Sequence, residues 1–290
     1  MIVVRLIGGL GNQMFQYAMA RSLADISGTP VKLDISGYEQ YTLRRFELGD
    51  FNIRAEIASK SDIDFFRVDL NRDALWQRVK RRLPFFTPKM VYNEKSFSYD
   101  SRLRNSVPPV YFDGYWQTEK YFEDNAAAIR NDFTLFARLD AANLEQLRHI
   151  EHSNAVSLHV RRGDYVNDPN THECHGVCST DYYRDAVACM ADRVGPLQLF
   201  IFSDDHQWAK ANLDFGYPAT FVTVNSDKKG VFDMMLMRHC KHHIIANSSF
   251  SWWGAWLNPS PDKTVIAPRR WFNKMKQDTR DLLPSAWVVL

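Results

Sequence analysis

Apolar and polar positions near the start of the chain follow the pattern of an α/β protein. An apolar run from Ile2 to Leu6 ends in the glycine-rich stretch 8–12. Apolar residues then recur at helical spacing, at Met14, Phe15, Tyr17, Ala18, Ala20, Leu23 and Ala24. Residues 31–33 form the next apolar run. A strand, a glycine turn, a helix and a second strand in this order predict a parallel α/β layer.

The second half of the chain repeats this alternation more regularly. Apolar runs predict strands at 155–160, 197–202, 220–224, 243–246 and 264–267. Helices are predicted between them at 181–192, 206–213, 231–240 and 250–257. Such regular alternation indicates a doubly wound fold. We therefore predict two facing Rossmann-like domains with a cleft between them, comprising residues 1–150 and 151–290.

The middle of the chain, about residues 36–150, is less regular. It mixes charged and aromatic residues with helix-like runs such as 126–147, and prolines interrupt it. We expect mostly helices that cover the first sheet here. We also expect the C-terminal tail to cross back to the first domain.

Composition narrows the possible partners and location. The 290 residues carry a net charge of +2, which argues against a protein whose main partner is nucleic acid. The basic run 78–82 is either a solvated helix face or a peripheral contact with an anionic membrane surface. No apolar stretch reaches the ~20 residues that span a bilayer. The apolar start of the chain resembles a strand more than a signal peptide. We expect a cytoplasmic protein with four reduced cysteines.

The segment His159-Val-Arg161-Arg162-Gly-Asp164 carries the strongest candidate chemistry. It ends a predicted buried strand, and ligands of α/β sheets bind beyond the carboxyl ends of strands. A guanidinium is a permanently charged, forked donor that suits phosphate oxygens. Because side chains alternate along an extended strand, Arg161 and Arg162 should point to opposite sides. We expect one to contact a nucleotide diphosphate and the other to pair with Asp164 as a structural brace. A purely structural Arg–Asp network is the alternative.

Two predicted strand-to-helix turns are further candidate anion sites. In the stretch 8–13, glycines allow backbone N–H groups to approach an anion at a helix N-terminus. The Gly-Lys-Ser/Thr of a phosphate-binding P-loop does not follow. In the stretch 247–250, hydroxyl and N–H groups can cap the helix or bind phosphate. A ligand-free tight turn and simple helix capping are the alternatives.

Several carboxylates and a His/Cys group are further candidates for ligand or metal binding. Asp233 lies in the first turn of an apolar helix, where it either complements the helix dipole or accepts two N–H donors from guanine. Asp62 and Asp64 match an Asp-x-Asp metal pattern, but their surroundings predict a capped helix start. The His/Cys group at 172–178 lacks a pair of Cys-x-x-Cys knuckles. We expect no metal.

Several motifs, in order along almost the whole chain, resemble glycosyltransferase family 11, the α-1,2-fucosyltransferases. They are Gly8-Gly-Leu-Gly-Asn-Gln-Met-Phe-Gln-Tyr-Ala18, Gly114-Tyr-Trp-Gln117, His159-Val-Arg-Arg-Gly-Asp-Tyr165, His175-Gly-Val-Cys178 with Tyr182-Tyr183, Phe202-Ser-Asp-Asp205 and Asn247-Ser-Ser-Phe-Ser-Trp-Trp-Gly-Ala-Trp-Leu257. The resemblance implies the GT-B fold, with the donor cleft between its two domains. It also implies GDP-β-L-fucose as donor, inversion at the anomeric carbon and no cofactor or required metal. The implied acceptor is a terminal β-galactoside such as lactose, N-acetyllactosamine or a lipid-linked glycan.

The resemblance also implies roles for individual residues. Arg161 would be catalytic by holding the β-phosphate, and His159 and Asp233 would contact guanosine. The remaining substrate-binding positions match the two phosphate-contacting turns: Gly11, Asn12, Ser248, Ser249 and Phe250. The general base stays open among Glu94, Asp113, Asp164 and His175. Alternative functions are a transferase of the same scaffold with another GDP-sugar or linkage, and a non-catalytic glycan- or nucleotide-binding protein.

Overall fold

Each half of the chain forms a parallel β-sheet flanked by helices in the structure, a computed structural model. The structure describes residues 1–39, 44–67, 90–167, 173, 176–225, 229–273 and 278–290, with only the backbone at 67, 164 and 167. One unit comprises Met1–Phe136 and Asp278–Leu282, and the other comprises Ala137–Gln277 and Leu283–Leu290. Part of the C-terminal tail therefore belongs to the first unit, as expected.

The first unit contains a five-stranded sheet. Its strands are β1 (Ile2–Arg5), β2 (Val31–Asp34), β3 (Glu56–Ile57), β4 (Met90–Asn93) and β5 (Val110–Asp113). They lie in the order β3-β2-β1-β5-β4, and every neighbouring pair is parallel. The α-helices among the described residues of this unit are α1 (Leu10–Ser27), α2 (Lys60–Arg67) and α3 (Ala126–Asp132). Short 3-10 helices occupy Ser36–Glu39, Leu48–Asp50, Ser101–Asn105, Glu119–Tyr121 and Glu123–Asn125.

The secondary-structure elements described in the middle region are mostly helices, as expected, but the sequence did not predict β3, β4 and β5, which also lie there. These strands have two to four residues, which is too short for a period of two to be distinguished from helical spacing. The predicted helical run 126–147 is also divided. It forms α3 and the start of α4 (Ala141–Glu151), whose N-cap Asp140 accepts a hydrogen bond from the backbone N–H of Asn143.

The second unit contains a six-stranded sheet. Its strands are β6 (Ala155–Val160), β7 (Gln198–Ser203), β8 (Ala219–Phe221), β9 (His242–Ile244), β10 (Val265–Ala267) and β11 (Val288–Val289). They lie in the order β11-β10-β9-β6-β7-β8, again with every neighbouring pair parallel. Besides α4, the α-helices that the structure describes in this unit are α5 (Gly163–Asn167), α6 (Thr180–Val194), α7 (His206–Asn212), α8 (Gly230–His239) and α9 (Ser249–Leu257).

The division between the units precedes the predicted residue 150 because α4 packs within the second unit. Ile150 of this helix is fully buried in a cluster with Leu236 and Met237 of α8. The predicted strands and helices of this half are otherwise present, with ends shifted by a few residues. Two parallel α/β units confirm the predicted GT-B class of fold.

Strand order determines where each sheet can bind a ligand. In the second sheet the chain moves from β6 through β7 to β8, and then returns to β9 on the other side of β6. In the first sheet it moves from β1 through β2 to β3, and β5 lies on the other side of β1. Connections leave in opposite directions at these points, and a crevice forms beyond the carboxyl ends of the two central strands. The crevices belong to β6/β9 and to β1/β5.

No helix among the described residues combines the length and the apolar character needed to cross a membrane.

Candidate functional site

Arg161 lies at the carboxyl end of β6, next to the β6/β9 crevice. All six residues of β6 are buried, because the strand lies between β7 and β9 in the sheet. The Nη1 atom of Arg161 is 3.0 Å from the Oδ2 atom of Asp204, and the two side chains are only 21% and 19% exposed. The backbone N–H of Arg162 donates to the other oxygen of Asp204 at 2.8 Å. A single carboxylate therefore fixes both the guanidinium of Arg161 and the turn that carries it.

Arg162 has different partners from Arg161. Its guanidinium carbon lies 3.9 Å from the centroid of a Trp208 ring, within range of a cation–π interaction. Its Nε atom is 3.5 Å from Oδ2 of Asp205. Arg162 is thus directed towards α7. The side chain of Asp164 lies outside the described residues, so the proposed Arg162–Asp164 brace stays a prediction. The bracing contacts that the structure describes are with Asp205 and Trp208.

Asp204 and Asp205 are part of a sequence motif, but the sequence alone does not predict a role for either. Both follow β7, the strand beside β6, and Asp205 caps α7 by accepting from the backbone N–H of Trp208. A Cβ at Gly163 would lie 2.8 Å from Oδ2 of Asp204, which explains the glycine in the Arg-Arg-Gly turn. The sequence signal for Asp204 was its position at a strand end. The adjacency of the two strands was not visible in the sequence.

His159 is a buried, neutral imidazole under this turn. It is 5% exposed, and its ring centroid lies 5.6 Å from that of Phe250. Burial, together with the positive charge of Arg161, lowers the pKa of His159 to about 3. Its Nδ1 atom has no hydrogen-bond partner within the described part of the chain. The ring can therefore offer a hydrogen bond without adding charge.

The start of α9 follows β9 on the other side of the same crevice. The hydroxyl of Ser248 accepts a hydrogen bond from the backbone N–H of Phe250 at 3.3 Å, so the capping interpretation describes one role of this serine. Asn247 precedes Ser248, and its buried side chain donates to the carbonyl oxygens of Gly176 and Trp271. These contacts hold Asn247 in place. Ser249 and Phe250 are half-buried in the first turn of the helix. The predicted phosphate-contacting residues thus lie at a helix N-terminus, which attracts anions.

Asp233 is held in the first turn of α8 by a chain of amide groups. Its Oδ1 atom accepts a hydrogen bond from Nδ2 of Asn225 at 2.8 Å. Asn225 and Asn143 donate to each other's side-chain carbonyls at 2.8 and 2.9 Å, and Asn143 donates to Asp140. This carboxylate is therefore oriented by neighbouring side chains, in addition to its favourable position in the helix dipole.

The glycine turn of the first unit lies at the carboxyl end of β1. Gly8 has a φ of +78°, and a Cβ there would lie 2.4 Å from Nδ2 of Asn12. The Gly8 carbonyl accepts from the hydroxyl of Tyr38 at 2.7 Å and from Nε2 of Gln13 at 3.1 Å. Gln13 is fully buried and stabilises the turn. Gly11 and Asn12 lie in the first turn of α1.

The structure describes two of the four candidate general bases. Both oxygens of Glu94 accept backbone N–H groups of the turn after β5, and Asp113 pairs with Arg5 at 2.9 Å. His175 and the side chain of Asp164 lie outside the described residues. The carboxylates of Glu94 and Asp113 thus both have partners within the first unit.

Asp62 has the structural role expected of a capped helix start. Its Oδ2 atom accepts from the backbone N–H of Ser59, while its own N–H donates to the Ser59 hydroxyl, which forms a reciprocal capping box before α2. Lys32 donates to Asp62 at 2.9 Å, and this contact and those of Ser59 lower the pKa of Asp62 to about 2. No group of three or more metal-ligating side chains is found within the described ranges. His172, Cys174 and His175 lie outside them.

Similar proteins include three named transferases. An alpha-1,2-colitosyltransferase of Escherichia coli is 37% identical over 99% of this chain and 98% of its own length. The O-antigen biosynthesis glycosyltransferase WbnK of Escherichia coli is 36% identical over 98% of this chain and 99% of its own length. The gorilla galactoside alpha-(1,2)-fucosyltransferase 2 is 22% identical over 89% of this chain and 69% of its own length.

A solved structure and a family model agree with this grouping. The crystal structure of the fucosyltransferase NodZ from Bradyrhizobium has a TM-score of 0.50 and 16% identity, and covers 87% of this chain and 92% of its own. That likeness concerns the fold. The model of glycosyl transferase family 11 matches residues 88–290. Together with full-length relatives above 30% identity, this match shows that the chain is a glycosyltransferase and belongs to glycosyl transferase family 11.

Proposed function

We propose that this enzyme transfers L-fucose from GDP-β-L-fucose to the 2-hydroxyl of a terminal β-galactoside, with inversion and without a metal. The observation that carries the proposal is the position of Arg161 at the carboxyl end of β6, next to the β6/β9 crevice. There the guanidinium is held by Asp204 and lies in the same strand-end region as the buried His159 and the start of α9. This is where a doubly wound sheet binds the diphosphate of a nucleotide.

Arg161 serves the departing phosphate in this mechanism. The acceptor oxygen forms a bond to C1 of fucose from the face opposite GDP, while the bond from C1 to the β-phosphate oxygen breaks. Negative charge grows on the phosphate, and Arg161 stabilises it. A guanidinium has five N–H donors, so Asp204 can hold it while it binds phosphate oxygens bidentately. The acceptor hydroxyl passes its proton to solvent water as the new bond forms, and a loose transition state needs little help from a base for this step.

Nucleoside recognition is assigned to His159 and Asp233. Guanine presents two adjacent N–H donors, which match a carboxylate held in a fixed orientation as Asp233 is held by Asn225. The neutral imidazole of His159 contacts guanosine without repelling Arg161. The remaining donor contacts are assigned to Gly11 and Asn12, and to the α9 start at 248–250.

Colitose is the second candidate sugar, because the relative named alpha-1,2-colitosyltransferase matches 99% of the chain at 37% identity. Colitose is fucose without its 3-hydroxyl. A site that hydrogen-bonds a hydroxyl rejects the analogue lacking it by about 10⁴-fold, whereas an apolar site rejects an added hydroxyl by only about 10²-fold. The ratio of kcat/KM for the two donors therefore identifies the one for which the site is built.

The test is GDP release by the purified protein. GDP-fucose and GDP-colitose are each supplied with lactose or N-acetyllactosamine, with and without EDTA. The linkage of the transferred sugar in the trisaccharide product is determined by NMR. We expect an α-1,2-linked product and unchanged rates in EDTA. Loss of turnover in EDTA contradicts the metal-free mechanism. Binding of GDP without transfer to either galactoside contradicts the proposed acceptor.

Cytoplasmic location, with at most peripheral membrane contact, is part of the same proposal. Cys178, Cys189 and Cys240 are free thiols, which suits a reducing compartment. The basic run 78–82, which would contact lipid, lies outside the described residues. Co-sedimentation with anionic vesicles measures that contact.

A further inference from the structure

The turn Gly114-Tyr115-Trp116 holds a bulky residue in a conformation that such residues avoid. It directly follows β5 and lies in the β1/β5 crevice of the first unit. Trp116 has a φ of +57°, and no other residue except glycine has a positive φ in the described part of the chain. Its buried indole N–H also has no acceptor among those residues. Strain of this kind persists where surrounding structure enforces it, and it concentrates at ligand and active sites.

Glu94 is the main group that enforces this turn. Its Oε2 atom accepts from the backbone N–H of Tyr115 at 2.6 Å, and its Oε1 atom accepts from that of Trp116 at 2.9 Å. Gln16 of α1 donates to the carbonyl of Gly114 at 3.0 Å. A Cβ at Gly114 would lie 2.3 Å from Cβ of Glu94, so the carboxylate and the turn are in close contact. Both oxygens of Glu94 are used to hold backbone.

The result of this arrangement is a fixed, exposed aromatic ring. Tyr115 is 36% exposed, and its ring is nearly parallel to that of the buried Phe97, at 12° and 6.2 Å between centroids. Next to it, Gln117 donates to Asn12 of the glycine turn at 2.8 Å, which brings amide groups to the same crevice. A rigid aromatic ring beside a few polar groups is typical of a small-ligand site. The weakly polar C–H face of a pyranose suits such a ring.

We propose that Tyr115 is the stacking platform for the terminal pyranose of the acceptor, and that Glu94 is a positioning residue that presents it. The inference rests on the proposed function, for which it names the acceptor subsite. It also removes Glu94 from the candidate general bases, because its two oxygens are committed to the turn.

Substitutions of Tyr115 test the platform directly. Tyr115→Phe keeps the ring and Tyr115→Ala removes it. Tyr217→Ala is the matched control, because Tyr217 is 37% exposed and lies in the second unit, outside the proposed site. We expect Tyr115→Ala to raise the KM for lactose about tenfold or more, the size of a lost stacking contact of 1.4 kcal/mol. Tyr115→Phe and Tyr217→Ala should keep a KM for lactose within about twofold of wild type.

A second set of variants separates a positioning role of Glu94 from general-base catalysis. Glu94→Gln places an amide N–H group against a backbone N–H, so the turn relaxes and the KM for lactose rises. Because Glu94 acts through the ring, Glu94→Gln combined with Tyr115→Ala should be no worse than Tyr115→Ala alone. At saturating lactose, Glu94→Gln should keep kcat within about tenfold of wild type, with an unchanged pH profile. A loss of 100-fold or more in kcat, with the acidic limb of the profile abolished, would make Glu94 the base and overturn its positioning role.

Binding measurements distinguish failure of this inference from failure of the proposed function. Saturation-transfer NMR with lactose and GDP, and calorimetry with GDP alone, are run on wild type and each variant. If GDP binds and lactose binding is unaffected by Tyr115→Ala, the platform is wrong while the donor assignment stands. If wild type binds GDP but neither binds nor fucosylates lactose or N-acetyllactosamine, the proposed galactoside acceptor is wrong. The proposed role of Tyr115 as its platform is then wrong as well. If wild type does not bind GDP, the proposed function itself is wrong.

Discussion

Replacing Arg161 and Arg162 by alanine, one at a time, tests whether two adjacent guanidiniums have different roles. They are a matched pair, because their side chains are 21% and 18% exposed and each is paired with an aspartate. The structure directs Arg161 to Asp204 at the strand end and Arg162 to Trp208 of α7. We expect both variants to fold, and only one of them to lose catalysis.

The magnitudes follow from the contacts of each side chain. Either substitution removes a partly exposed ion pair and a cation–π contact, with Tyr165 for Arg161 and with Trp208 for Arg162, so each should destabilise the protein by about 1–2 kcal/mol. That loss corresponds to a few degrees in Tm for a chain of this size. Loss of one preorganised contact to developing charge lowers kcat by about 100- to 1,000-fold, and we expect this loss for Arg161→Ala alone. Arg162→Ala should stay within about tenfold of wild type.

GDP release at saturating donor and acceptor gives kcat, and a circular-dichroism melt gives Tm. Arg161→Lys adds a further comparison, because a point charge lacks the bidentate fork and should also be poor. The reasoning is refuted if folded Arg161→Ala keeps more than a tenth of the wild-type kcat. It is also refuted if Arg162→Ala loses as much kcat as Arg161→Ala.

Three further predictions concern stability. Asp62→Ala removes a capping box and should lower the free energy of unfolding by about 1–2 kcal/mol in urea titrations, while kcat stays unchanged with or without EDTA; a fall in kcat would restore a metal role. Gly8→Ala places a side chain at a φ of +78° against Asn12 and should cost about 1–3 kcal/mol by the same titration, whereas a neutral result would contradict the strain. The pKa of His159 is lowered to about 3, so below about pH 6.5 the unfolded chain binds a proton that the folded chain does not. The free energy of unfolding should therefore fall as the pH drops from about 6.5 towards 4, by up to about 1.4 kcal/mol per pH unit for this group, and His159→Gln should fall less steeply; equal slopes would contradict the assignment.

Much of the second unit and of its candidate site could be predicted from the sequence. The strand 155–160 is found with its predicted ends, because six consecutive residues suited to a buried strand precede a cluster of charge. Local order alone predicted that Arg161 and Arg162 follow this strand and have different partners. The stretch 247–250 was likewise predicted as a strand-to-helix turn, and the structure places Ser248 at the helix N-cap. These features are encoded within a few residues of one another.

The first unit was predicted less well, because its strand pairing joins segments that are far apart in the sequence. Its inner strand β5 has four residues and pairs with the central strand β1, which is more than a hundred residues earlier in the chain. No local pattern reports such a pairing. Gln13 and Gln16 donate to the carbonyls of Gly8 and Gly114, and the local pattern of an apolar helix does not predict these contacts.

The sequence by itself determined the class of fold, the strand-end arginines and the family, since these depend on hydrophobic period and on short motifs. Only the tertiary structure decided which carboxylate meets each arginine, and that Glu94 holds a strained turn. Asp204 reaches Arg161 because β7 lies beside β6, and Glu94 reaches Tyr115 because β4 lies beside β5. Strand neighbours are chosen by packing of the whole sheet and its helices, so they bring together strand ends that a local reading of the chain cannot pair.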